Sequence, residues 1–307
     1  MARPEDPNGP DRARRRFLKR LGAAGAVAAP AAVMGAWGGQ TLGDAFADFF
    51  QQHYRRMSAA EIEETLRRIE RRAQSRDGVP IRCGNEPPLP GVVFGYAINV
   101  SKCRGYRDCV RGCVKENNPS RDIQYIRVLQ LDQGSLDLES ADHYYDAREV
   151  PVPGKYYLPV QCQQCDNPPC VKACPIQATW MEPDGVVVVD YDWCFGCRYC
   201  MAACPYQARH FNWGAPDLPA EAINPSTHYL GNRPRPAGVV EKCHFCLQRT
   251  RKGQMPACQE ACPTGARVFG NLLDPTSDIR YVLENKVVFR LKEDLGTDPK
   301  FWYYRDV

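Results

Sequence analysis

The sequence lacks the motifs that usually carry a substrate-binding or catalytic site. It has no glycine-rich nucleotide-binding motif. Its CHFC segment at 243–246 is followed by Leu247, not by the histidine that covalent haem attachment requires. No acid–base or nucleophile constellation is recognisable either. We therefore expect no independent substrate chemistry.

Long apolar runs and a strong net charge are also missing. Beyond residue 47 no apolar run is long enough to cross a bilayer, so membrane contact would need a partner. The whole chain carries a net charge of +4, but residues 1–47 hold seven Lys/Arg and four Asp/Glu, which leaves +1 for the remainder. A nearly neutral chain without a basic stripe is a poor candidate for nucleic-acid binding.

The first 47 residues have the pattern of an export signal. RRRFLK at 14–19 fits the twin-arginine pattern, and the apolar segment 21–39 is rich in Ala and Gly and contains Pro30. AFA at 45–47 fits a small-residue cleavage site. We expect a twin-arginine signal peptide over 1–47 and a location on the periplasmic side of the cytoplasmic membrane. A solvated basic tail beside a short core helix is the alternative.

The rest of the chain divides into an extension and a cysteine-rich body. Residues 48–91 are predicted as a helical extension, with a helix over 58–74 that starts at a Ser58–Glu61 capping box, followed by a proline-rich linker over 85–91. Residues 92–307 form the body. Its strand candidates are 92–100, 123–131 and two short strands around the turn 182–185, and 214–238 is predicted as an ordered surface loop.

Cysteine is abundant, and its spacing is informative. The 16 cysteines include four groups at 103–113, 162–174, 194–204 and 243–262. The group at 194–204 has the C-x2-C-x2-C-x3-C-P run of bacterial ferredoxins, in which the first three thiolates bind one cluster and the fourth binds its neighbour. The groups at 162–174 and 243–262 share the C-x3-C-P ending with longer insertions.

The cysteine spacing favours iron–sulfur clusters over a zinc site or a disulfide scaffold. Zinc usually takes two well-separated ligand pairs, and four cysteines within eleven residues are too many on one side. A disulfide scaffold is typical of shorter secreted chains and would not repeat C-x3-C-P. The repeat predicts an α+β fold of tandem bacterial-ferredoxin-like modules with insertions: an inner module over about 155–213, and an outer module over about 92–131 plus 239–290.

Chain order predicts which groups share clusters. The second and third groups lie close together in sequence and should exchange fourth ligands, which leaves the first and fourth groups to pair. The predicted [4Fe–4S] ligands are Cys162, Cys165, Cys170 and Cys204 for one cluster, Cys194, Cys197, Cys200 and Cys174 for its neighbour, and Cys243, Cys246, Cys258 and Cys113 for a third. The fourth set holds three thiols, Cys103, Cys109 and Cys262.

The three-thiol set results from a tyrosine within the first group. CRGYRDCVRGC at 103–113 has Tyr106 where the second cysteine of the group would stand. Because an iron without thiolate support is labile, we expect a [3Fe–4S] cluster there, beside three [4Fe–4S] clusters. Two alternatives remain open: Tyr106 binds the iron through its phenolate, or Cys83, the cysteine outside all four sets, completes the site.

Basic and aromatic residues flank the cysteines. The basic residues should add positive charge beside anionic clusters and so raise their reduction potentials. The alternative for each is a solvated surface group. They are Lys102, Arg104, Arg198, Lys242 and His244. For the aromatic residues, core packing is a simpler expectation than water exclusion around a cluster: Trp193, Phe195, Tyr199 and Tyr206.

The four groups, in this order and spacing, resemble the four-cluster ferredoxin-like subunits of bacterial respiratory complexes, over roughly residues 92–290. That family includes the electron-transfer subunits of nitrate, dimethyl sulfoxide, tetrathionate and polysulfide reductases. The nitrate reductase subunit departs from the four-cysteine pattern in a related way. A tryptophan replaces one of its ligand cysteines, and the cluster at that site has three irons. The iron–sulfur portion of alternative complex III is also similar.

The resemblance implies an electron-transfer subunit without a catalytic site of its own. Its partners would be a quinone-interacting membrane subunit of the polysulfide reductase type and either a molybdopterin subunit or a multihaem cytochrome c. Two other functions are distinguishable by experiment. A freestanding iron–sulfur reductase would turn over alone with an artificial donor, and a structural module held by zinc or disulfides would contain no iron.

Overall fold

The computed structural model describes residues 57–119, 122–214 and 218–306. The predicted signal peptide, 1–47, lies outside the described residues. The helices are α1 (Ala59–Asp77), α2 (Asp108–Asn117), α3 (Pro169–Lys172), α4 (Tyr199–Ala202), α5 (Leu247–Thr250), α6 (Ala257–Glu260) and α7 (Asp278–Asn285), with 3₁₀ turns at Ala220–Ala222 and Glu293–Leu295. The strands are β1 (Arg82–Gly84), β2 (Phe94–Asn99), β3 (Arg127–Asp132), β4 (Lys155–Val160), β5 (Thr179–Met181), β6 (Val187–Val189), β7 (His210–Phe211), β8 (Ser226–His228), β9 (Val240–Glu241), β10 (Arg267–Asn271), β11 (Val288–Phe289) and β12 (Phe301–Tyr304).

Helix α1 confirms the predicted helix and its capping box. The Glu61 N–H donates to Ser58 Oγ at 3.3 Å, and the Ser58 N–H donates to the Glu61 carboxylate at 2.7 Å. The helix ends at Gly78, whose φ of 70° is in the left-handed region that favours glycine. Its buried Ile69 packs in a small apolar cluster with Cys83. This cluster fixes α1 to the segment that follows it.

A four-stranded sheet lies at the centre of the body, in the order β10–β2–β12–β11. All six residues of β2 are buried, because β2 lies between two strands and both of its faces are covered. Aromatic rings fill one face: Tyr96 stacks on Phe301 at 4.9 Å between ring centroids, and Phe94 stacks on Phe269 at 5.0 Å. The predicted strand over 92–100 thus contains β2, one of the two inner strands of this sheet.

Two antiparallel hairpins flank the cysteine groups. Strands β5 and β6 pair around the predicted turn, where Gly185 has a φ of 77°. Strands β3 and β4 pair over all six residues of each strand. The predicted strand 123–131 begins too early, because Tyr125 lies outside the ladder and donates a hydrogen bond to Glu241 at 2.6 Å.

Each C-x3-C segment starts a helix, and the helices pack in pairs. Helices α3, α4 and α6 each begin one residue before the third cysteine of their group. Helix α2 begins one residue before Cys109, which holds the same position in the first group. Helix α3 contacts α4, and α2 contacts α6. The second contact is very close: a Cβ added to Gly112 would lie 2.7 Å from the Cβ of Ala261 and 3.1 Å from the carbonyl oxygen of Ala257. The two helices therefore pack this closely only with glycine at 112.

The predicted surface loop over 214–238 is wrong for its second half. Ser226–His228 forms β8, and most residues from 227 to 235 are buried. Arg235 is fully buried and donates to the carbonyl oxygens of Asn117 and Gly231 at 2.6 and 2.9 Å. Backbone acceptors and a charge partner at Glu241 stabilise the guanidinium there. A proline-rich composition without periodicity does not reveal such long-range pairing.

Residues 82–91 are packed against the body. Strand β1 pairs in parallel with β8, and the Glu86 carbonyl oxygen accepts a hydrogen bond from Arg251 at 2.9 Å. The predicted division at residue 91 stays a prediction, but the segment before it is attached by strand pairing. Within the described ranges, no helix combines the length and apolarity needed to cross a membrane.

Candidate iron–sulfur sites

The second and third cysteine groups meet around two cavities. One cavity is lined by four thiols from both groups, Cys162, Cys165, Cys170 and Cys204. Burial, followed by the neighbouring Cys162, raises the pKa of the Cys165 thiol to about 12. These four residues are the set that chain order predicts for one cluster.

The other cavity of this pair is lined by Cys174, Cys194, Cys197 and Cys200. Gly196 shapes its loop: φ is 77°, and an added Cβ would lie 2.2 Å from the carbonyl oxygen of Gly238. The Cys174 sulfur accepts a hydrogen bond from the Ala178 N–H at 3.2 Å. The structure therefore also brings the second predicted set together.

The first and fourth groups bring a third set of thiols into the core. Cys113, Cys243, Cys246 and Cys258 are all buried. Burial and then the neighbouring Cys246 and Cys243 raise the pKa of Cys113 well above its usual value. Asn117 Nδ2 lies 3.5 Å from the sulfurs of both Cys113 and Cys246. These four thiols are the third predicted set.

The three remaining thiols line a cavity with Tyr106. Cys103, Cys109 and Cys262 lie there beside Tyr106, whose side chain is 38% exposed. Burial raises the pKa of Cys103 to about 11. Burial acts in the same direction on Cys262, but hydrogen bonds from Thr264 and from backbone N–H groups outweigh it and lower its pKa. One side of this site is thus lined by a phenol where the other sites have a thiol.

Cys83 lies elsewhere in the fold. It packs with Ile69 and Ile81 in the apolar cluster beneath α1, and its N–H donates to Glu70 at 2.9 Å. Burial raises its pKa to about 11. Cys83 does not line the cavity of Cys103, so this alternative for the fourth ligand has no support among the described contacts.

The four sets follow one another through the molecule. The two thiol sets of the second and third groups form the inner pair, and those of the first and fourth groups form the outer pair. Arg209 lines both cavities of the inner pair. Cys162 of the inner pair is a neighbour of Cys243. Burial, followed by the charge of Cys162, raises the pKa of the Cys243 thiol to about 12. Gln161 spans the same junction, with Nε2 4.0 Å from the Cys243 sulfur and Oε1 accepting from Arg267 at 3.0 Å. The thiol sets are therefore arranged in a continuous series.

The donor chemistry of these sites fits iron–sulfur clusters. All sixteen cysteines lie within the described residues and are free thiols. Burial raises the pKa of many of them, so they would hold a proton at neutral pH unless iron ions compensated the thiolate charge. Buried N–H groups of Arg209 and Arg267 beside the cavities have no protein acceptor, and cluster sulfur is an acceptor. When bound, such clusters supply one-electron redox chemistry, and the chain's own residues supply ligands, dielectric and charge.

Sequence reasoning missed the two arginines. Arg209 Nη2 lies 3.0 Å from the Cys170 sulfur, and Arg267 lines the cavity of Cys103. Both stand five residues after the last cysteine of their group, in C-P-x-x-A-R at 204–209 and 262–267. The repeated register is a signal that could have identified them.

The expectations of a charge on His244 and of core packing for three of the aromatic residues are wrong. His244 is buried, and burial, followed by the charges of Arg235 and Lys242, lowers its pKa well below the usual value, which disfavours the charge expected there. Lys242 is also buried and donates to backbone carbonyl groups at 187 and 243. Core packing holds for Tyr206 alone among the four aromatic residues, because Trp193, Phe195 and Tyr199 are exposed.

Comparison with known proteins finds related iron–sulfur proteins. The family model described as "4Fe-4S dicluster domain" matches residues 154–218 and 231–272. A putative dimethyl sulfoxide reductase iron–sulfur subunit of Halobacterium salinarum is 41% identical over 210 residues, 68% of this chain and 78% of that protein. The iron–sulfur cluster-binding subunit of menaquinone reductase from Nitratidesulfovibrio vulgaris is 35% identical over 240 residues, 69% of this chain and 88% of that protein.

A third relative comes from Archaeoglobus fulgidus. Its Hdr-like menaquinol oxidoreductase iron–sulfur subunit 1 is 41% identical over 210 residues, 64% of this chain and 71% of that protein. The protein is a member of this family of 4Fe–4S dicluster iron–sulfur subunits of oxidoreductase complexes. Membership supports an electron-transfer role.

Proposed function

We propose that this chain is an exported electron-transfer subunit with three [4Fe–4S] clusters and one [3Fe–4S] cluster. It relays electrons between a quinone-interacting membrane subunit and a catalytic partner, which is a molybdopterin subunit or a multihaem cytochrome c. The observation that carries the proposal is the continuous series of four thiol sets, each drawn from two cysteine groups. A series of this kind suits a relay better than a single reaction centre.

The two ends of the series differ in a way that suits entry and exit of electrons. At one end, the cavity of Cys194 is rimmed by Phe195, and Trp193 and Tyr199 are exposed nearby. At the other end lies the cavity with three thiols and Tyr106. The two middle sets are the ones that meet at Cys162 and Cys243. Electrons would therefore enter and leave at the outermost sets.

Low-temperature electron paramagnetic resonance on the purified, oxidised full chain, with iron measured in the same sample, tests the cofactor content. We expect a three-iron signal and about fifteen irons per chain, from three four-iron clusters and one three-iron cluster. About sixteen irons without that signal would show a fourth complete cubane. A colourless chain that contains zinc would overturn the iron–sulfur assignment altogether.

Export is tested separately in cells. Replacing Arg14 and Arg15 by Lys should retain the chain in the cytoplasm, because the twin-arginine pattern would be lost. The comparison is the distribution of the unaltered protein over periplasmic and cytoplasmic fractions. Normal export of the double variant would refute the targeting proposal and leave the cluster assignment untouched.

A further inference from the structure

Arg209 is a buried cation between the two inner thiol sets. Its residue surface is 4% exposed, and it lines both inner cavities. Nη2 lies 3.0 Å from the Cys170 sulfur and donates to Thr179 Oγ1 at 2.9 Å. Cys170 of one set and Cys200 of the other both favour its charged form electrostatically. Its Nε and Nη1 atoms are buried and have no protein hydrogen-bond partner.

Arg267 occupies the corresponding place between the two outer sets. It is also 4% exposed and lines the cavity of Cys103. Cys109 of the three-thiol set, followed by Tyr96 and by Cys258 of the four-thiol set, favours its charged form electrostatically. Nη1 donates to Gln161 Oε1 at 3.0 Å, whereas Nη2 is buried without a protein partner.

The two arginines are equivalent in the internal repeat. Counting five residues from the last cysteine of each group gives Arg209 and Arg267 in the third and fourth groups, Thr179 in the second and Asn118 in the first. Since the second group pairs with the third and the first with the fourth, each pair of thiol sets holds one arginine at this register. Thr179 accepts a hydrogen bond from Arg209 directly.

We propose that Arg209 and Arg267 are shared tuning residues, each donating N–H hydrogen bonds to sulfur atoms of two clusters at once and raising both reduction potentials together. The proposal rests on the proposed iron–sulfur function. A positive charge and N–H donors beside a cluster favour its reduced, more negative form, and a water-poor environment strengthens the effect. Because one cation serves two clusters, it shifts both potentials in the same direction and leaves the free-energy step between the two clusters nearly unchanged.

A purely structural role makes a different prediction. A buried arginine that only balances thiolate charge during folding would, when replaced, reduce yield or thermal stability. It would not shift the potentials of two particular clusters and spare the other two. The potentials of individual clusters therefore separate the two roles.

The test is a redox titration of the purified full chain followed by electron paramagnetic resonance, on the unaltered chain, Arg209→Gln and Arg267→Gln. For Arg209→Gln we expect the ratio of reduced to oxidised protein at a fixed ambient potential to fall at least tenfold for two clusters, a shift of about 59 mV or more for a one-electron couple. The other two clusters should not move. Arg267→Gln should shift the complementary two, one of which gives the three-iron signal.

Arg198→Gln is the matched control. Arg198 lines the cavity of Cys194 together with Arg209, but it is exposed, so solvent screens its charge. Its loss should therefore shift the potentials much less than the loss of Arg209. If Arg198→Gln and Arg209→Gln gave equal shifts, or if Arg209→Gln moved a single cluster or none, the shared role would be wrong.

Arg209→Lys keeps the test informative if the glutamine variant does not fold. Lysine retains the charge but not the forked N–H donors, so we expect full iron content and a smaller shift of the same two clusters. Unchanged potentials in a fully loaded Arg209→Lys chain would contradict the hydrogen-bonding part of the proposal. If the unaltered chain held no iron–sulfur clusters, the proposed function itself would fail, which its iron content shows before any variant is compared.

Discussion

In both the inner and the outer pair of thiol sets, two cysteine groups pack together through the helices at their C-x3-C segments, but the length of chain between the two groups is very different. In the inner pair, the partner groups are adjacent in sequence, and α3 contacts α4 across a short hairpin. In the outer pair, α2 and α6 belong to the first and fourth groups, and the whole inner pair lies between them in sequence. The same local motif thus works with either a short or a long connection.

Burial differs between the two pairs. In the outer pair the four-thiol set, including Cys246 and Cys258, is buried throughout. In the inner pair Cys194 and Cys197 are only partly buried, and exposed aromatic residues surround them. One set of the outer pair is thus enclosed in the core, whereas the set of Cys194 and Cys197 in the inner pair lies closer to the surface.

The largest expected effect comes from removing one thiol of the enclosed set. Cys246→Ser should lose about four irons and also unfold at much lower temperature, because ligand loss empties a site in the core and leaves buried thiols without a cation. Iron analysis and thermal unfolding followed by circular dichroism measure both effects. Cys197→Ser, at the same place in the third group, should lose iron with a smaller fall in Tm. Equal falls in Tm would contradict the comparison.

At the three-thiol site, the gain of a fourth thiol ligand and of one iron can be tested. Tyr106→Cys restores the missing thiol of the first group and should convert the three-iron cluster into a four-iron one, with about one extra iron and loss of the three-iron signal. Tyr106→Phe is the control, and it should leave the three-iron signal unchanged. A change in iron content on Tyr106→Phe would instead indicate that the phenol is a ligand.

The close contact between α2 and α6 predicts a moderate effect on stability. Gly112 stands where the other three groups have alanine, and its Cβ would collide with Ala261. Gly112→Ala should therefore lower the free energy of unfolding by about 1–3 kcal/mol through overpacking. Gly214→Ala is the control, because an added Cβ there meets no atom within 4 Å. Denaturant titration of both variants measures the difference, and a stabilised Gly112→Ala chain would show that the helices can separate freely.

The smallest effect is expected outside both pairs, in the capping box of α1. Ser58→Ala removes the acceptor of the Glu61 N–H and should cost about 1 kcal/mol of stability. Ser58→Asp keeps an acceptor and should be close to neutral. Cluster content should be the same in all three chains, and a loss of iron on Ser58→Ala would mean that α1 supports the sites directly.

Much of the site could be predicted because cysteine spacing is a local signal. The C-x3-C ending set the register of all four groups, and the structure gathers each predicted set of thiols in one place. Helix α1 and the hairpin around Gly185 were also predictable, since a capping box and a turn glycine act within a few residues.

The remaining features depend on contacts between distant parts of the chain. The burial of Arg235 requires carbonyl groups more than a hundred residues away in sequence, and the lowered pKa of His244 follows from burial and nearby cations. The positions of Arg209 and Arg267 between pairs of thiol sets also arise only when the chain is folded. Composition and periodicity carry no signal for the partners of Arg235 and His244, whereas the repeated C-P-x-x-A-R register does mark the two arginines.

The nesting of the inner pair within the outer pair bears on the order of assembly. Bringing Cys113 beside Cys243 closes a loop that contains the whole inner pair, and the entropy lost in closing a loop is smaller when its interior is already compact. Contacts between neighbouring segments also form faster than contacts between distant ones. We therefore expect the inner pair to acquire its iron first. When iron is scarce, chains should accumulate in which the inner sites are filled and the first and fourth cysteine groups have not yet come together.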